Sequence, residues 1–190
     1  MERNIYDFDK TIYARDSTLE FYFFCLKKNP SLLLCLPKQV FAFLLYKSKK
    51  ISKKEFKERF FCFLKKLVDV GSLIEQFWEE NIDKFADWYI DSKNETDIVI
   101  SASPEFLVKS AIERIDPHIT VIASLVDPGS GEFYSDNCYG DVKVQRLYED
   151  FPSISIGKFY SDSKSDLPLA RLAKESYIVK NGKPTPWFDS

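Results

Sequence analysis

The hydrophobic periodicity of this 190-residue chain changes near residue 97, and that change restricts the fold more than any other feature. Between residues 17 and 91, apolar residues recur every three or four positions, which is typical of amphipathic helices. From residue 97 onward, short apolar runs such as DIVIS, HITVIASLV and SIGKFYS alternate with helical stretches. Strands that alternate with helices predict an α/β fold, a parallel sheet with helices on both faces. Such sheets bind ligands at the carboxyl ends of their strands.

Local signals give the bounds of individual elements. The first strand is expected over residues 4–8, just where the stretch YDFDKTIY places two aspartates. Ser103 is a typical helix N-cap residue and Pro104 suits the first helical position, so a helix is expected to start there. Near the end of the chain, SDLPLARLAK (165–174) predicts a helix and SYIVK (176–180) predicts a last strand.

The composition narrows the class of protein. The chain is 45% hydrophobic and 16% aromatic, enough for one compact domain or one domain with a sizeable insertion. Its net charge is −2 and its basic residues do not form one long tail, so no nucleic-acid partner is expected. Four cysteines without CxxC spacing indicate reduced thiols, and the first residues lack the apolar stretch of a signal peptide. A cytoplasmic protein is therefore expected.

One segment, SLLLCLPKQVFAFLLY (31–46), is strongly apolar, but Pro37 and Lys38 interrupt it. A membrane-spanning helix needs about 20 mostly apolar residues, so this segment is expected to be a buried or surface-associated helix. A lysine cluster follows it, formed by Lys47, Lys49, Lys50, Lys53 and Lys54. Apolar residues beside lysines suit peripheral contact with an anionic membrane. The alternative is a helical core followed by a solvated lysine turn.

Polar residues gather where the predicted strands end. They comprise four carboxylates, a hydroxyl and an ammonium, from Asp7, Asp9, Asp162, Asp166, Ser101 and Lys143. In a parallel sheet these strand ends meet at one edge. Clustered carboxylates repel one another, and a divalent cation with oxygen ligands relieves that repulsion. The pattern therefore indicates Mg²⁺, and Mg²⁺ beside a lysine indicates a phosphorylated substrate.

Four sequence motifs carry a family resemblance. DFDKT, SAS, NCYGDVK and SDSKSD occur in this order at suitable intervals. They resemble the four motifs of the haloacid dehalogenase (HAD) superfamily in its phosphoserine-phosphatase-like branch, subfamily IB. The match covers residues 7–16 and 97–182. It implies a Rossmann-like core formed by residues 1–16 and 92–190, with residues 17–91 inserted as a helical cap of the C1 type.

The resemblance also implies catalytic roles. Asp7 would be the nucleophile that attacks phosphorus and forms an aspartyl-phosphate. Asp9 would be the general acid for the leaving group and then the general base for water. Asp7 and Asp162 would bind Mg²⁺ together with the backbone carbonyl of Asp9. Lys143 would neutralise charge on the nucleophile and on the phosphoryl group.

The remaining motif residues would support that chemistry. Asp166 would hold a metal-bound water or orient Lys143. Ser101, the amide of Ala102 and Thr11 would bind phosphate oxygens, with Lys143 at the same phosphate site. A second aspartate two positions after the first marks phosphatases and phosphotransferases and argues against a dehalogenase.

Two positions bear on the substrate. In phosphoserine phosphatases, a glutamate nine positions after the nucleophile reads the substrate amino group, and here the shorter Asp16 stands in its place. Arg59 either binds a substrate carboxylate or lies on a solvated helix face. Neither position favours phosphoserine as the substrate.

The expected function is therefore that of a Mg²⁺-dependent phosphatase acting on a small phosphorylated metabolite. One alternative is a phosphatase of a lipid phosphate, such as a phosphatidylglycerophosphate-like lipid, at the membrane surface. A second is a phosphotransferase that passes the same aspartyl-phosphate to an alcohol. The least favoured is a binding module without turnover, which would have little use for both Asp7 and Asp9. The sequence does not define the oligomeric state.

Overall fold

Six strands form one sheet in residues 2–188, the part of the chain that this computed structural model describes. They are Glu2–Tyr6 (β1), Ile98–Pro104 (β2), Thr120–Ser124 (β3), Ser155–Ser161 (β4), Ala173–Lys180 (β5) and Lys183–Pro186 (β6). Their order across the sheet is β3-β2-β1-β4-β5-β6. All neighbours are parallel except β5 and β6. The predicted parallel sheet is confirmed, with an antiparallel edge strand added.

Eight α-helices accompany the sheet within the described residues. They are Ser17–Lys28 (α1), Leu36–Lys47 (α2), Lys53–Phe60 (α3), Val70–Glu79 (α4), Asp87–Ser92 (α5), Glu105–Ile115 (α6), Asp141–Asp150 (α7) and Leu167–Ala170 (α8). Short 3₁₀ helices cover Pro30–Cys35, Phe61–Lys66, Ile82–Lys84 and Lys164–Asp166. The segment from residue 17 to residue 91 is thus built from helices, as its periodicity predicts.

The strands are buried on both faces, which explains their nearly continuous apolar sequences. In β2, Ile98 and Ile100 pack in a cluster with α7 and α8, whereas Val99 packs in a cluster with α6. In β1, Ile5 and Tyr6 divide in the same way. Side chains alternate between the faces because the strand has a two-residue period. The prediction of helices on both faces is confirmed.

The inserted segment 17–91 shares its core with the α6 side of the sheet. A single cluster of buried residues joins Phe21, Phe77 and Trp78 from this segment with Phe8 and Leu107. The Trp78 indole N–H also donates a hydrogen bond to the Leu107 carbonyl at 2.9 Å. These contacts attach α1 and α4 to the sheet. Burial of large aromatic side chains of this kind is a strong stabilising contribution.

The end of the chain corrects one expectation. The helix predicted over 165–174 is only the four-residue α8, and the strand predicted over 176–180 already begins at Ala173. The reason is pairing with β4, in which Ala173 lies opposite Ile156 and Glu175 opposite Lys158. Ladder hydrogen bonds with a neighbouring strand outweigh the weak helix propensity of a short segment.

The first strand and the end of the inserted segment also differ in detail. β1 ends at Tyr6, so Asp7 is the first residue beyond it. The helical spacing of residues 72–90 is divided between α4 and α5. Between them, Ala86 donates its backbone N–H to the Ile12 carbonyl at 2.8 Å. This hydrogen bond to the loop after β1 keeps the backbone extended at Ala86, so a continuous helix cannot form there. The termini of the predicted core domain, residues 1 and 189–190, lie outside the described residues.

The apolar segment 31–46 lies at the surface. It forms the 3₁₀ helix Pro30–Cys35 followed by α2, with Pro37 in the first helical turn. Leu32, Cys35 and Ala42 are buried, while most of its other apolar side chains are exposed. Among residues 2–188, no helix combines the length and apolarity needed to cross a bilayer. Of the two expected alternatives, a buried or a surface-associated helical segment, the structure shows the second.

Candidate active site

The candidate site lies where the order of the parallel strands reverses. β1 pairs with β2 on one side and with β4 on the other, and Tyr6 stands opposite both Val99 and Tyr160. Asp7 follows at once, and its backbone N–H donates to the Tyr160 carbonyl at 2.8 Å. A crevice forms at the carboxyl ends of strands at such a switch point. The expected gathering of polar strand-end residues is present there.

Lys143 occupies the centre of this cluster. Its Nζ lies 2.7 Å from Asp7 Oδ1 and 2.7 Å from Asp166 Oδ2, and the lysine is only 2% exposed. It lies in the first turn of α7, directly after Gly140, whose φ of 59° suits glycine. A lysine alone on a helix is usually solvated. Here the fold buries it between two carboxylates.

Burial and neighbouring charges together shift the pKa values of this cluster. Burial raises the pKa of Asp7 to about 7, although the ammonium of Lys143 acts in the opposite direction. Burial alone would lower the pKa of Lys143, but the charges of Asp7 and Asp166 raise it, so the ammonium stays protonated. Burial also raises the pKa of Asp162, and the charge of Asp166 adds to that effect. The site therefore favours an additional cation.

Thr11 ties two loops of the site together. Its hydroxyl donates to Asp7 Oδ2 at 3.3 Å and accepts the backbone N–H of Asp162 at 2.9 Å. The residue is 1% exposed. Thr11 was expected to bind phosphate. In this structure its hydroxyl instead joins the loop after β1 to the loop after β4.

Asp9 is held by residues on both sides of the cavity. Its Oδ1 accepts the backbone N–H of Ser17 at 2.7 Å, and its Oδ2 accepts the Ser103 hydroxyl at 2.5 Å. Burial raises the pKa of Asp9, and the hydrogen bond from Ser103 opposes that rise. Ser103 is therefore not the helix N-cap that the sequence predicts. β2 runs through Pro104, the side chain at position 103 turns to Asp9, and α6 has no side-chain cap.

Ser101 and Ala102 line the same cavity. The Ser101 hydroxyl accepts the backbone N–H of Ser103 at 3.0 Å, which fixes the turn of the chain at the end of β2. The carbonyl of Ala102 accepts hydrogen bonds from Lys57 at 2.6 Å and from the Ser124 hydroxyl at 2.9 Å. The structure therefore brings Ser101 and Ala102, two of the four predicted phosphate-binding residues, to the site.

Lys57 is a site residue that the sequence reasoning missed. It projects from α3 into the cavity and donates to the Ala102 carbonyl and to Asn137 Oδ1, the latter at 2.9 Å. Burial and, to a lesser extent, the charge of Lys53 lower its pKa to about 8. One signal was available, because Lys53, Lys57 and Phe60 are spaced to share one face of a helix. That face turns toward the site.

Of the two proposed specificity residues, the structure places one at the cavity and the other away from it. Asp16 lines the cavity, but its carboxylate accepts the backbone N–H of Leu19 at 3.0 Å and caps α1. Arg59 does not reach the cavity. It lines a separate surface depression with Lys38 and Glu132. The basic side chains of α3 that line the cavity are Lys53 and Lys57, whereas the helical rotation between positions 57 and 59 carries Arg59 to another face.

The cavity has a volume of about 630 Å³ and two chemically distinct ends. Its polar end contains the site residues described above. Its other end is formed by the inserted segment and is strongly apolar, lined by Leu19, Tyr22, Phe23, Leu36, Val40, Phe43, Phe56, Phe60 and Phe61. Lys53 also lines the cavity, with its Nζ 3.3 Å above the centroid of the Tyr139 ring. The cavity is large enough for a drug-sized ligand.

The donor set at the polar end fits Mg²⁺. Across residues 2–188, no group of three or more acidic, histidine or cysteine side chains stands ready to hold a metal ion. Mg²⁺ needs fewer, since it usually uses one or two carboxylates together with water and phosphate oxygens. Asp7 and Asp162 supply two. In addition, Asp166 Oδ1 is buried and has no hydrogen-bond partner within the described chain.

Comparisons with known proteins agree with this picture. A family model described as haloacid dehalogenase-like hydrolase matches residues 5–171. No curated protein matches the chain. A solved structure of a protein with unknown function from Bordetella pertussis Tohama I aligns with a TM-score of 0.75. It has 15% identity over 92% of this chain and 88% of that chain.

Two further solved structures resemble the chain. A phosphoserine phosphohydrolase-like protein from Francisella tularensis subsp. tularensis SCHU S4 aligns with a TM-score of 0.56 and 18% identity. The alignment covers 93% of this chain and 86% of that chain. A phospho-aspartyl intermediate analogue of phosphoserine phosphatase aligns with a TM-score of 0.55 and 15% identity, over 93% and 86% of the two chains. At these identities the likeness is one of fold.

Proposed function

Because the chain belongs to the haloacid dehalogenase-like hydrolase family, we propose that it is a phosphomonoester phosphatase working through an aspartyl-phosphate on Asp7. One observation carries this proposal. The Lys143 ammonium is buried 2.7 Å from Asp7 at the floor of a cavity that also contains Asp9. A nucleophile, a fixed cation and a second carboxylate are the groups that phosphoryl transfer by this route needs.

Asp7 is suited to the role of nucleophile. Lys143 opposes the effect of burial on its pKa and so favours the ionised carboxylate. The hydrogen bond from Thr11 fixes its orientation. Attack of a carboxylate oxygen on phosphorus forms an acyl phosphate and releases the substrate alkoxide. Lys143 stabilises the negative charge that develops during this transfer.

Asp9 is suited to act as acid and then as base. Burial raises its pKa, which favours the protonated form needed to donate a proton to the leaving oxygen. The resulting carboxylate can then accept a proton from the water that attacks the acyl phosphate. Hydrogen bonds from Ser17 and Ser103 hold Asp9 in a position that is set by both the inserted segment and β2.

We infer that Mg²⁺ is the cofactor, held by Asp7, Asp162 and the backbone carbonyl of Asp9. When bound, it would neutralise phosphate charge at the nucleophile. Asp166, which contacts Lys143, would orient that lysine. The raised pKa of Asp162 and the buried, unpaired Oδ1 of Asp166 support a cation at this position.

We also propose that residues 17–91 act as a cap over the site. Lys57 reaches from α3 to the Ala102 carbonyl, beside the proposed phosphate site. Ser17, at the start of α1, contacts Asp9. Covering the site excludes water that would otherwise compete during transfer. Movement of α2 and α3 away from the strand ends would admit substrate.

The substrate class follows less directly from the site. A small phosphorylated metabolite is compatible with the polar end of the cavity, and phosphoserine is disfavoured because Asp16 is used as a helix cap. The apolar end of the cavity favours the alternative of a lipid phosphate. Transfer to an acceptor alcohol in place of water uses the same intermediate. A binding role without turnover is disfavoured by the buried arrangement of Asp7 and Lys143.

The first experiment measures phosphate release from p-nitrophenyl phosphate and a panel of phosphomonoesters, with Mg²⁺ or with EDTA. Asp7→Asn should abolish release, and Asp91→Asn on exposed α5 is the matched control that should retain it. Phosphate on the protein after rapid quenching would support the intermediate, and diversion by added glycerol would indicate phosphotransfer. Release that persists in Asp7→Asn would refute the mechanism.

A further inference from the structure

We propose that the substrate is an amphiphile, a phosphate monoester with a long apolar chain, and that the protein takes it from an anionic membrane surface. This inference rests on the proposed phosphatase function and specifies its substrate class. It follows from the cavity, from the exposed face around its mouth and from the charge of the surrounding chain.

The cavity itself is built for a molecule with two unlike ends. Asp7, Asp9 and Lys143 form one end, and aromatic and aliphatic side chains of α1, α2 and α3 form the other. A small polar metabolite would fill only the first end. It would leave the apolar walls in contact with water, whereas an alkyl or acyl chain would bury them. The cavity therefore matches a phosphate head followed by a chain.

The mouth of the cavity is apolar too. Several cavity-lining side chains are also exposed to solvent, among them Phe23 at 55%. Outside the cavity, the apolar surface continues over the 3₁₀ helix and α2, where Leu34 is 74% and Phe41 is 61% exposed. We call these exposed apolar side chains the apolar rim; its members are Leu19, Phe23, Leu33, Leu34, Leu36, Val40, Phe41, Phe43 and Leu44. Exposed apolar surfaces of this kind mark sites of interaction.

The charge around the rim identifies its partner. From Lys27 to Lys54 the chain contains eight lysines and no acidic residue, although the protein as a whole carries a net charge of −2. Lys47, Lys49 and Lys50 are exposed at the end of α2, next to the rim. Basic residues beside an amphipathic surface helix are attracted to anionic lipid head groups.

Continuity with the cavity favours a membrane over a second protein copy. Phe23, Val40 and Phe43 belong both to the rim and to the cavity wall. A protein docked on this face would close the mouth of the cavity. A membrane docked there would present its lipids to the mouth, so that a chain could pass from the bilayer to the apolar walls without crossing water.

A chain-length series tests the substrate class. The probes are monomeric ethyl, butyl, hexyl and octyl phosphates below their micellar concentrations, with p-nitrophenyl phosphate as the reference. A fully buried methylene is worth about fourfold in affinity, so kcat/KM should rise at least about tenfold from butyl to octyl phosphate. Phe43→Ser in the cavity wall should flatten the series. Leu172→Ser, an exposed position on the sheet domain, should leave it unchanged.

Vesicle flotation tests the surface. The vesicles contain phosphatidylcholine alone or with about one third phosphatidylglycerol, whose charge should strengthen binding. Leu34→Glu with Phe41→Glu should weaken binding about tenfold or more, whereas the matched control Leu172→Glu with Tyr148→Glu should not. Replacing Lys47, Lys49 and Lys50 by glutamine should weaken binding to anionic vesicles about fivefold per lysine. Circular dichroism and thermal melting establish that each variant is folded.

The outcomes separate this inference from the phosphatase proposal. If p-nitrophenyl phosphate is hydrolysed but kcat/KM does not change with chain length, the proposal of an amphiphilic substrate is refuted, while the proposal of a phosphatase is supported. The proposal of membrane binding is refuted if the protein fails to float with anionic vesicles. That proposal is also refuted if sedimentation shows a dimer of the wild-type protein and a monomer of the double variant Leu34→Glu, Phe41→Glu. If no phosphomonoester is hydrolysed in the presence of Mg²⁺, both proposals fall.

Discussion

Replacing Lys143 with methionine should strongly destabilise the metal-free protein. The lysine is 2% exposed and makes ion pairs of 2.7 Å with both Asp7 and Asp166. At an effective dielectric constant of about 20, unit charges about 4 Å apart attract by about 4 kcal/mol. Desolvation offsets much of that attraction in the wild type. Removing the cation, however, leaves two buried carboxyls without their partner, which typically costs about 3–5 kcal/mol.

The loss should depend on pH with a defined sign. Burial already raises the pKa of Asp7 to about 7 with Lys143 present, and removal of the ammonium raises that pKa further. A carboxyl with a raised pKa in the folded state binds protons on folding, so its penalty is absent below its unfolded pKa of about 4 and grows as pH rises. The wild type carries the same penalty up to its own Asp7 pKa of about 7, so the pH-dependent part of the Lys143→Met deficit should open above about pH 7, and the deficit should be larger near pH 8 than near pH 5.

Urea unfolding in EDTA, followed by circular dichroism, measures this loss. With a slope of about 2 kcal/mol per molar urea, the midpoint should fall by about 1.5–2.5 M at pH 8. Lys174→Met is the matched control because its ion pair with Glu2 lies on the surface, so it should change stability by no more than about 0.5 kcal/mol. Adding Asp7→Asn and Asp166→Asn to Lys143→Met should restore much of the loss. A deficit below about 1 kcal/mol at pH 8, or one that is independent of pH, would refute the electrostatic argument.

Three other predictions concern the site and its cover. Ser103→Ala removes a hydrogen bond that lowers the pKa of Asp9, so the alkaline limb of the kcat/KM profile for butyl phosphate, which reports the general acid, should move up by about one unit; an unmoved limb would contradict the assignment of Asp9. Gly131→Ala places a Cβ 2.6 Å from the Cβ of Phe61 at a φ of 76°, so thermal melting should show a loss of about 2–4 kcal/mol. Gly182 has a similar φ and nothing within 4 Å, so Gly182→Ala measures the cost of the backbone conformation alone and should lose about 1 kcal/mol of stability. Equal losses in the two variants would contradict a steric clash at residue 131. Mg²⁺ at about 100 times its Kd should stabilise the protein by about 2.7 kcal/mol, an effect that Asp162→Asn should diminish and whose absence would argue against the metal site.

Much of the site could be read from the sequence because its residues lie in short motifs. Asp7 and Asp9 follow a strand whose apolar pattern is local, and the strands that end near Ser101 and Asp162 show the same pattern. Since parallel strands end at one edge, local patterns were enough to bring these residues together. That residues 31–46 are too short to form a membrane-spanning helix also followed from their length and from Pro37, whereas their position at the surface did not.

Other features depended on contacts between distant parts of the chain. Ser103 is an N-cap candidate by type, but a short hydrogen bond to Asp9, distant in sequence, sets its role. Arg59 and Lys57 are both basic residues of α3, and only the docking of that helix places Lys57 at the Ala102 carbonyl. The early start of β5 depends on pairing with β4. In each case the contacting residues are far apart in the sequence, so a local sequence pattern could not predict the contact.

The sequence alone thus determined the parallel sheet, the helical segment 17–91 and the set of polar groups that meet at the strand ends, because hydrophobic periodicity and motif order are properties of neighbouring residues. The tertiary structure alone decided which lysines of residues 17–91 line the cavity. It also showed that Asp7 and Asp166 share one buried ammonium and that the apolar side chains of α1, α2 and α3 converge on one cavity. Burial and distance decide how strongly two charges interact and how much an apolar surface stabilises a contact. Both arise only when segments far apart in the chain pack together.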